Sequence, residues 1–146
     1  MKIAIVVALQ SELECTKRLF KDIEEICCDN VTYFFGECNG HQIIVSQSGI
    51  GKVCAATRCH DIITNFEPDC IINTGLAGGI DVKSKVCDVI VGSEVAYHDV
   101  WCGDGNEIGQ VQGFPLKFMG DENIINKILE NRTEGDRVYK GLICTG

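Results

Sequence analysis

The sequence has 146 residues, 45% of them apolar, which is ordinary for a globular chain and enough for one domain with a core. Its formal net charge of −8 argues against a surface that tracks nucleic-acid phosphates. The apolar opening, Ile3 to Leu9, is too short to span a bilayer and, running straight into Gln10-Ser11-Glu12, makes a poor signal peptide; a cytoplasmic location without membrane contact is expected.

Lys2 to Leu9 is a continuous β-rich apolar run, the pattern of a strand buried on both faces. Ser11 is a plausible N-cap. Leu13, Leu19, Phe20 and Ile23 then recur at helical spacing and predict a helix ending near Cys27-Cys28-Asp29-Asn30. Val31 to Glu37 and Gln42 to Ser46 read as strands joined by a hairpin turn at Asn39-Gly40. After Ser48 to Lys52, a helix is predicted from about Lys52 to Phe66, closed by Pro68. Cys70 to Asn73 is a strand opening into Thr74-Gly75-Leu76-Ala77-Gly78-Gly79. Val86 to Val95 is another. Residues 101–117 read as a loop, followed by a helix around Ile124 to Leu129, capped by Asp121, and a last strand from Val138 to Cys144.

Buried strands alternating with amphipathic helices predict a single α/β domain over residues 1–146, with a mixed, mostly buried sheet flanked by helices. The chain ends directly off a strand, where a covering helix is expected, so a missing C-terminal portion is expected too.

The ten cysteines show neither CxxC nor zinc-finger spacing, and no metal set is legible. Most lie in apolar runs, where Cys acts as a small hydrophobe, so reduced core thiols are expected.

Ligands of open α/β sheets bind beyond the carboxyl ends of strands. Three segments fall there: Ala8 to Glu12, Ser48 to Lys52 and Thr74 to Gly79. Gly49-Ile50-Gly51-Lys52-Val53 lacks the spacer and hydroxyl residue of a P-loop, and Gly75 to Gly79 lacks dinucleotide spacing. Both are readable as tight turns needing positive φ. Glu12 is readable as a plain first-turn carboxylate, or as one at a cleft mouth that orients or deprotonates water. His98 fits a structural role better than acid–base work, and His41 and His60 look like surface positions. Trp101 and Phe114 read as core, pocket lining or subunit contact.

Together these segments resemble the 5′-methylthioadenosine/S-adenosylhomocysteine nucleosidases, of the nucleoside phosphorylase-like fold. The resemblance rests on Met1 to Leu9 with Glu12, on Gln47-Ser48-Gly49-Ile50-Gly51-Lys52-Val53, and on Asp69 to Gly75 with Ala77-Gly78-Gly79. Val86 with Asp88, Tyr97-His98-Asp99 and Gly141-Leu142-Ile143 extend it across the chain. It implies hydrolysis of the N-glycosidic bond of a 5′-thio-substituted adenosine, releasing adenine for methionine salvage. It also implies a nucleoside as the small-molecule partner, no cofactor, and a homodimer. Glu12 matches the water-activating carboxylate. Leu9, Ile50, Leu76, Ala77 and Gly78 match substrate-side positions around the ribose and the alkylthio group.

Leu76 departs from the family, which usually has Ser there, and Leu9 stands where Met is common. The family's leaving-group Asp, its adenine-stacking aromatic and its ribose-gripping Met-Glu pair would all lie beyond position 146. The 146 residues alone are therefore expected to be inactive. A non-catalytic partner-binding fold and a nucleoside phosphorylase are the alternatives; no Arg in the glycine loops is there to bind phosphate.

Overall fold

The computed structural model describes all 146 residues, in two compact units, Met1–Ala77 and Gly78–Gly146. The first unit holds β1 (Lys2–Val7), α1 (Gln10–Lys17), β2 (Lys21–Cys28), β3 (Val31–Cys38), β4 (His41–Gln47), α2 (Lys52–Phe66) and β5 (Cys70–Asn73). Its strands form one sheet in the order β2-β3-β4-β1-β5. The strand β1 runs parallel to both β4 and β5, whereas β2-β3 and β3-β4 are antiparallel. The sheet is mixed, as the α/β reading expects.

Alternation along the strands divides the core into two layers. Ala4, Val6, Tyr33 and Ile44 face α2 and bury Ile62; Val7, Phe34, Ile43 and Val45 face α1 and bury Leu13. Helices thus cover both faces. The helix α2 has the predicted bounds. It begins after Gly51, whose φ of 99° suits glycine, and ends at Glu67, whose left-handed N–H donates to Ile63 C=O just before Pro68.

The first helix corrects the sequence reading. It stops at Lys17, and Leu19, Phe20 and Ile23 lie outside it; residues 21–28 form β2. Their helical spacing is coincidental, because pairing with β3 outweighs local propensity. The register slips between Lys21 and Glu24, where Asp22 adopts φ 53°. Lys21, Asp22, Glu24 and Glu25 make this edge strand a poor template for further pairing. Asp29-Asn30, read as a helix end, is a two-residue turn with both residues left-handed, like Asn39-Gly40. Ser11 is not the cap either: Leu9 holds that place and Ser11 is the second helical residue.

The second unit holds β6 (Val89–Tyr97), β7 (Phe118–Met119), α3 (Glu122–Glu130) and β8 (Val138–Thr145), with sheet order β7-β6-β8 and a parallel β6-β8 pair. Asp121 caps α3 as predicted, accepting the Asn123 and Ile124 N–H groups. Ile125 and Ala96 are buried here, while Val89, Ile90, Val95, Tyr139 and Leu142 remain exposed. Arg137 ties the start of β8 to residues 86–88, donating to Val86 C=O at 2.7 Å and lying 3.3 Å from Asp88 Oδ1. Trp101 and Phe114 are exposed, so neither is core of this unit.

All ten cysteines are free, but none is fully buried, which corrects their reading as core thiols. Cys28, Cys38 and Cys59 do pack against the core edges of the first unit. No helix is long and apolar enough to cross a membrane.

Candidate functional site around Glu12

Strand β1 ends at Val7, two residues short of the predicted bound, and that shortening shapes the site. Ala8 and Leu9 leave the sheet with their N–H groups free. Glu12, third residue of α1, reaches back to accept both on Oε2, at 3.0 Å and 2.9 Å. A carboxylate returning to the cap N–H is a familiar way to satisfy a helix start. On its own it would support the plain first-turn reading.

A third bond goes further. Oε1 accepts the N–H of Leu76 at 2.9 Å, from the loop after β5 and 64 residues away in sequence. Thr74 N–H and Asn73 Nδ2 both donate to Val6 C=O, at 3.1 Å and 3.3 Å, which fixes that loop against β1. Partial burial pushes the Glu12 carboxyl up, but the three N–H donors together hold it below the ordinary glutamate value. The group is anionic at neutral pH. A carboxylate has about four acceptor positions and three are used, leaving one on Oε1.

Gly75 makes this approach possible. A Cβ there would lie 2.8 Å from Glu12 Oε1. The glycines of this loop are not explained by positive φ, as the sequence reading held. Gly75 is needed for close approach, whereas Gly49 and Gly51 do carry φ of 84° and 99°.

The structure thus brings Leu9, Glu12 and Leu76 together by hydrogen bonds. Ala77 follows Leu76 directly. Ile50 lies in the exposed loop after β4, and residues Ile50 and Leu76 are 75% and 86% exposed, so neither is walled in within this unit. Gly78 opens the second unit and has open space at its Cα. His98 lies in that unit, at the end of β6, where its N–H donates to Thr145 C=O at 3.0 Å and its ring rests against Gly146. His60 is exposed and His41 half-buried.

Two open clefts of the first unit, of about 430 and 680 Å³, do not include Glu12, although the smaller is lined by Gln10, Leu13, Gln47 and Arg58 close by. No cluster of three or more His, Cys, Asp or Glu side chains could hold a metal ion.

Residues 2–146 match the phosphorylase superfamily, which accounts for nearly the whole sequence. The chain belongs to the phosphorylase superfamily. Within it, the chain is 39% identical to a 5′-methylthioadenosine/S-adenosylhomocysteine nucleosidase of Psychromonas ingrahamii, over all of its own length and 64% of that relative's. It is equally similar, at 39%, to the nucleosidase of Haemophilus influenzae, again covering 64% of it. The fold overlays that of a Streptococcus pneumoniae nucleosidase, solved with the transition-state inhibitor MT-ImmA, with a TM-score of 0.94 and 34% identity. A Colwellia psychrerythraea nucleosidase solved with adenine gives 0.91 and 37%. Both overlays use the whole of this chain, but 64% and 62% of those proteins. This superfamily member therefore spans under two thirds of the relatives it matches.

Sequence reasoning singled out Glu12 but missed Asn73, Gln47 and Arg58, whose polar contacts support its loops. Asn73 and Gln47 sit at strand ends and Arg58 within α2, and a polar side chain in either place carries no periodic signal for a loop contact.

Proposed function

We propose that this chain supplies the water-orienting, ribose-side part of a 5′-methylthioadenosine/S-adenosylhomocysteine nucleosidase. The observation that carries the reading is the Glu12 carboxylate, fixed by backbone N–H groups from two loops and left with one open acceptor position. The relatives named above support the substrate.

In the proposed reaction, a water bound to Oε1 attacks the anomeric carbon of the nucleoside. The new C–O bond forms as the C–N bond breaks, and the electron pair leaves on the purine nitrogen. The anion also favours the positive charge that builds on the sugar in an oxocarbenium-like state. A carboxylate with a lowered pKa is a weak base towards free water. Its proton acceptance comes late, once the attacking oxygen is bonded to carbon and has become strongly acidic. Leu9, Ile50, Leu76, Ala77 and Gly78 are proposed to line the ribose and alkylthio side, where apolar walls suit a thioether. Leu76 contributes its N–H to Glu12 while its side chain replaces a hydroxyl with bulk.

The same reading carries a single catalytic domain, a homodimer, a cytoplasmic location and a place in methionine salvage. Exposed Val53 and Ile63 on α2 offer apolar surface for a subunit contact. The ten free thiols suit a reducing compartment. The leaving-group acid and purine clamp implied by the resemblance have no counterpart in these residues, so the chain alone is proposed to be inactive.

The test is adenine release from methylthioadenosine, by the 146-residue chain and by that chain joined to the part of the Haemophilus influenzae nucleosidase it does not span. The joined protein is expected to release adenine equally well with and without phosphate, and the chain alone no faster than its Glu12→Gln variant. Release that requires phosphate would replace hydrolysis with phosphorolysis.

A further inference from the structure

The two peptide groups that grip Glu12 Oε2 are themselves held from their far sides. The Leu9 N–H shares its peptide with Ala8 C=O, and Gln47 Nε2 donates to that carbonyl at 3.2 Å. The Ala8 N–H shares its peptide with Val7 C=O, which accepts the Ser48 N–H at 2.8 Å. A peptide group is planar, so fixing its carbonyl fixes the direction of its N–H. A carbonyl that accepts a hydrogen bond also polarises its peptide and strengthens the N–H as a donor.

The two clamps differ in kind. The Ser48 hydroxyl has one proton and lies 2.8 Å from Gly49 C=O but 3.2 Å from Val7 C=O, so the nearer carbonyl takes it. Ser48 therefore acts on Val7 through its main chain. Gln47 acts through its side chain. Its partner is a carbonyl, so the amide must present its NH₂ edge. Gln47 is anchored in turn: Arg58 Nε donates to Gln47 C=O at 3.1 Å, while Arg58 Nη1 lies 3.3 Å from the Tyr33 hydroxyl and 3.4 Å from Asp61 Oδ2. The path from the second helix to Glu12 is thus Arg58, Gln47, the Ala8–Leu9 peptide and the carboxylate.

We propose that Gln47 is a positioning residue for Glu12, its carboxamide orienting the Ala8–Leu9 peptide and through it the carboxylate. That this orientation serves catalysis rests on the nucleosidase reading; the orientation itself does not. The competing role for Gln47 is a plain tie between the ends of β1 and β4. That role would leave the carboxylate's chemistry untouched when the amide is removed.

The experiment uses the 146-residue chain labelled with ¹³C at glutamate carboxyl carbons. The Glu12 titration is followed by NMR in wild type, Gln47→Met and Gln47→Asn. Methionine keeps the length without a donor, and asparagine keeps the amide but withdraws it. In parallel, hydrogen exchange of the Leu9 amide is measured. Glu12 is expected to titrate higher in both variants, and the Leu9 amide to exchange roughly threefold to tenfold faster, the loss of one modest hydrogen bond. Unchanged titration and exchange in a folded variant would overturn the proposal and leave Gln47 as a strand tie. Should one variant fail to fold, the other decides. Failure of Glu12-dependent adenine release would count against the nucleosidase reading without altering this readout.

Discussion

Glu12 Oε1 accepts the backbone N–H of Leu76 at 2.9 Å, joining the first helix to the loop that leaves β5. This one bond turns a helix-start carboxylate into a junction between two strand-end loops. It also makes the residue beside Leu76 sensitive to size.

Gly75→Ala places a Cβ where Oε1 now sits, 2.8 Å away at ideal geometry. The carboxylate is the flexible partner and should swing off, giving up Leu76. The expected loss is about 1 kcal/mol, read as a lower urea midpoint, because the bond is charge-assisted but partly solvated. The Leu76 amide should lose its hydrogen-bonded chemical shift in the same variant.

The pH dependence of stability has a definite sign. The Glu12 carboxyl is lowered in the folded chain, so its stabilising contribution is complete above the ordinary glutamate value, 4.5, and is lost as pH falls through its lower folded value. Glu12→Gln should therefore be less stable than wild type at neutral pH and converge on it in acid. Asp136, held down by the Thr133 N–H and hydroxyl, titrates the same way in both proteins and cancels from the difference. Urea unfolding of the two proteins from pH 7 to pH 3 reads the effect.

Leu76→Ser restores the hydroxyl that the resemblance leads one to expect. The residue is 86% exposed and its contact to Glu12 is made by the main chain. Stability should change by no more than about 0.5 kcal/mol, as for other surface substitutions. Thermal unfolding checks this, and a large loss would mean that the leucine packs against something.

Thiol labelling should follow exposure. Cys15, Cys27, Cys54, Cys87 and Cys144 are exposed and should react first with an alkylating reagent at pH 8. Cys59 should be among the slowest, because burial against the first core layer pushes its thiol up. Mass spectrometry over a time course orders the sites.

Strong local signals in the sequence translated directly. The bounds of α2, the β5 strand, the Asn39-Gly40 turn and the Asp121 cap were all readable, because each rests on residues adjacent in the chain. The segment 21–28 was not. Its apolar spacing fits a helix, and only pairing with β3, set by the rest of the sheet, makes it a strand. Glu12 was legible as a carboxylate at a strand end. Its link to Leu76 was not, since it depends on two loops meeting across β1. For the same reason the need for Gly75 is not visible along the chain: the atom it makes room for belongs to residue 12. The cysteines misled because an apolar neighbourhood in sequence is not burial, least of all on edge strands such as β2 and β5.

In the proposed reaction the Glu12 carboxylate orients and finally deprotonates the attacking water. The most direct measurement is the kcat for adenine release by the joined nucleosidase described above, with Glu12 and with Glu12→Gln. The expected result is a fall of roughly 10²- to 10⁴-fold in kcat with a much smaller change in KM, the range for loss of one acid–base group. A Glu12→Gln enzyme that keeps the wild-type kcat would contradict it.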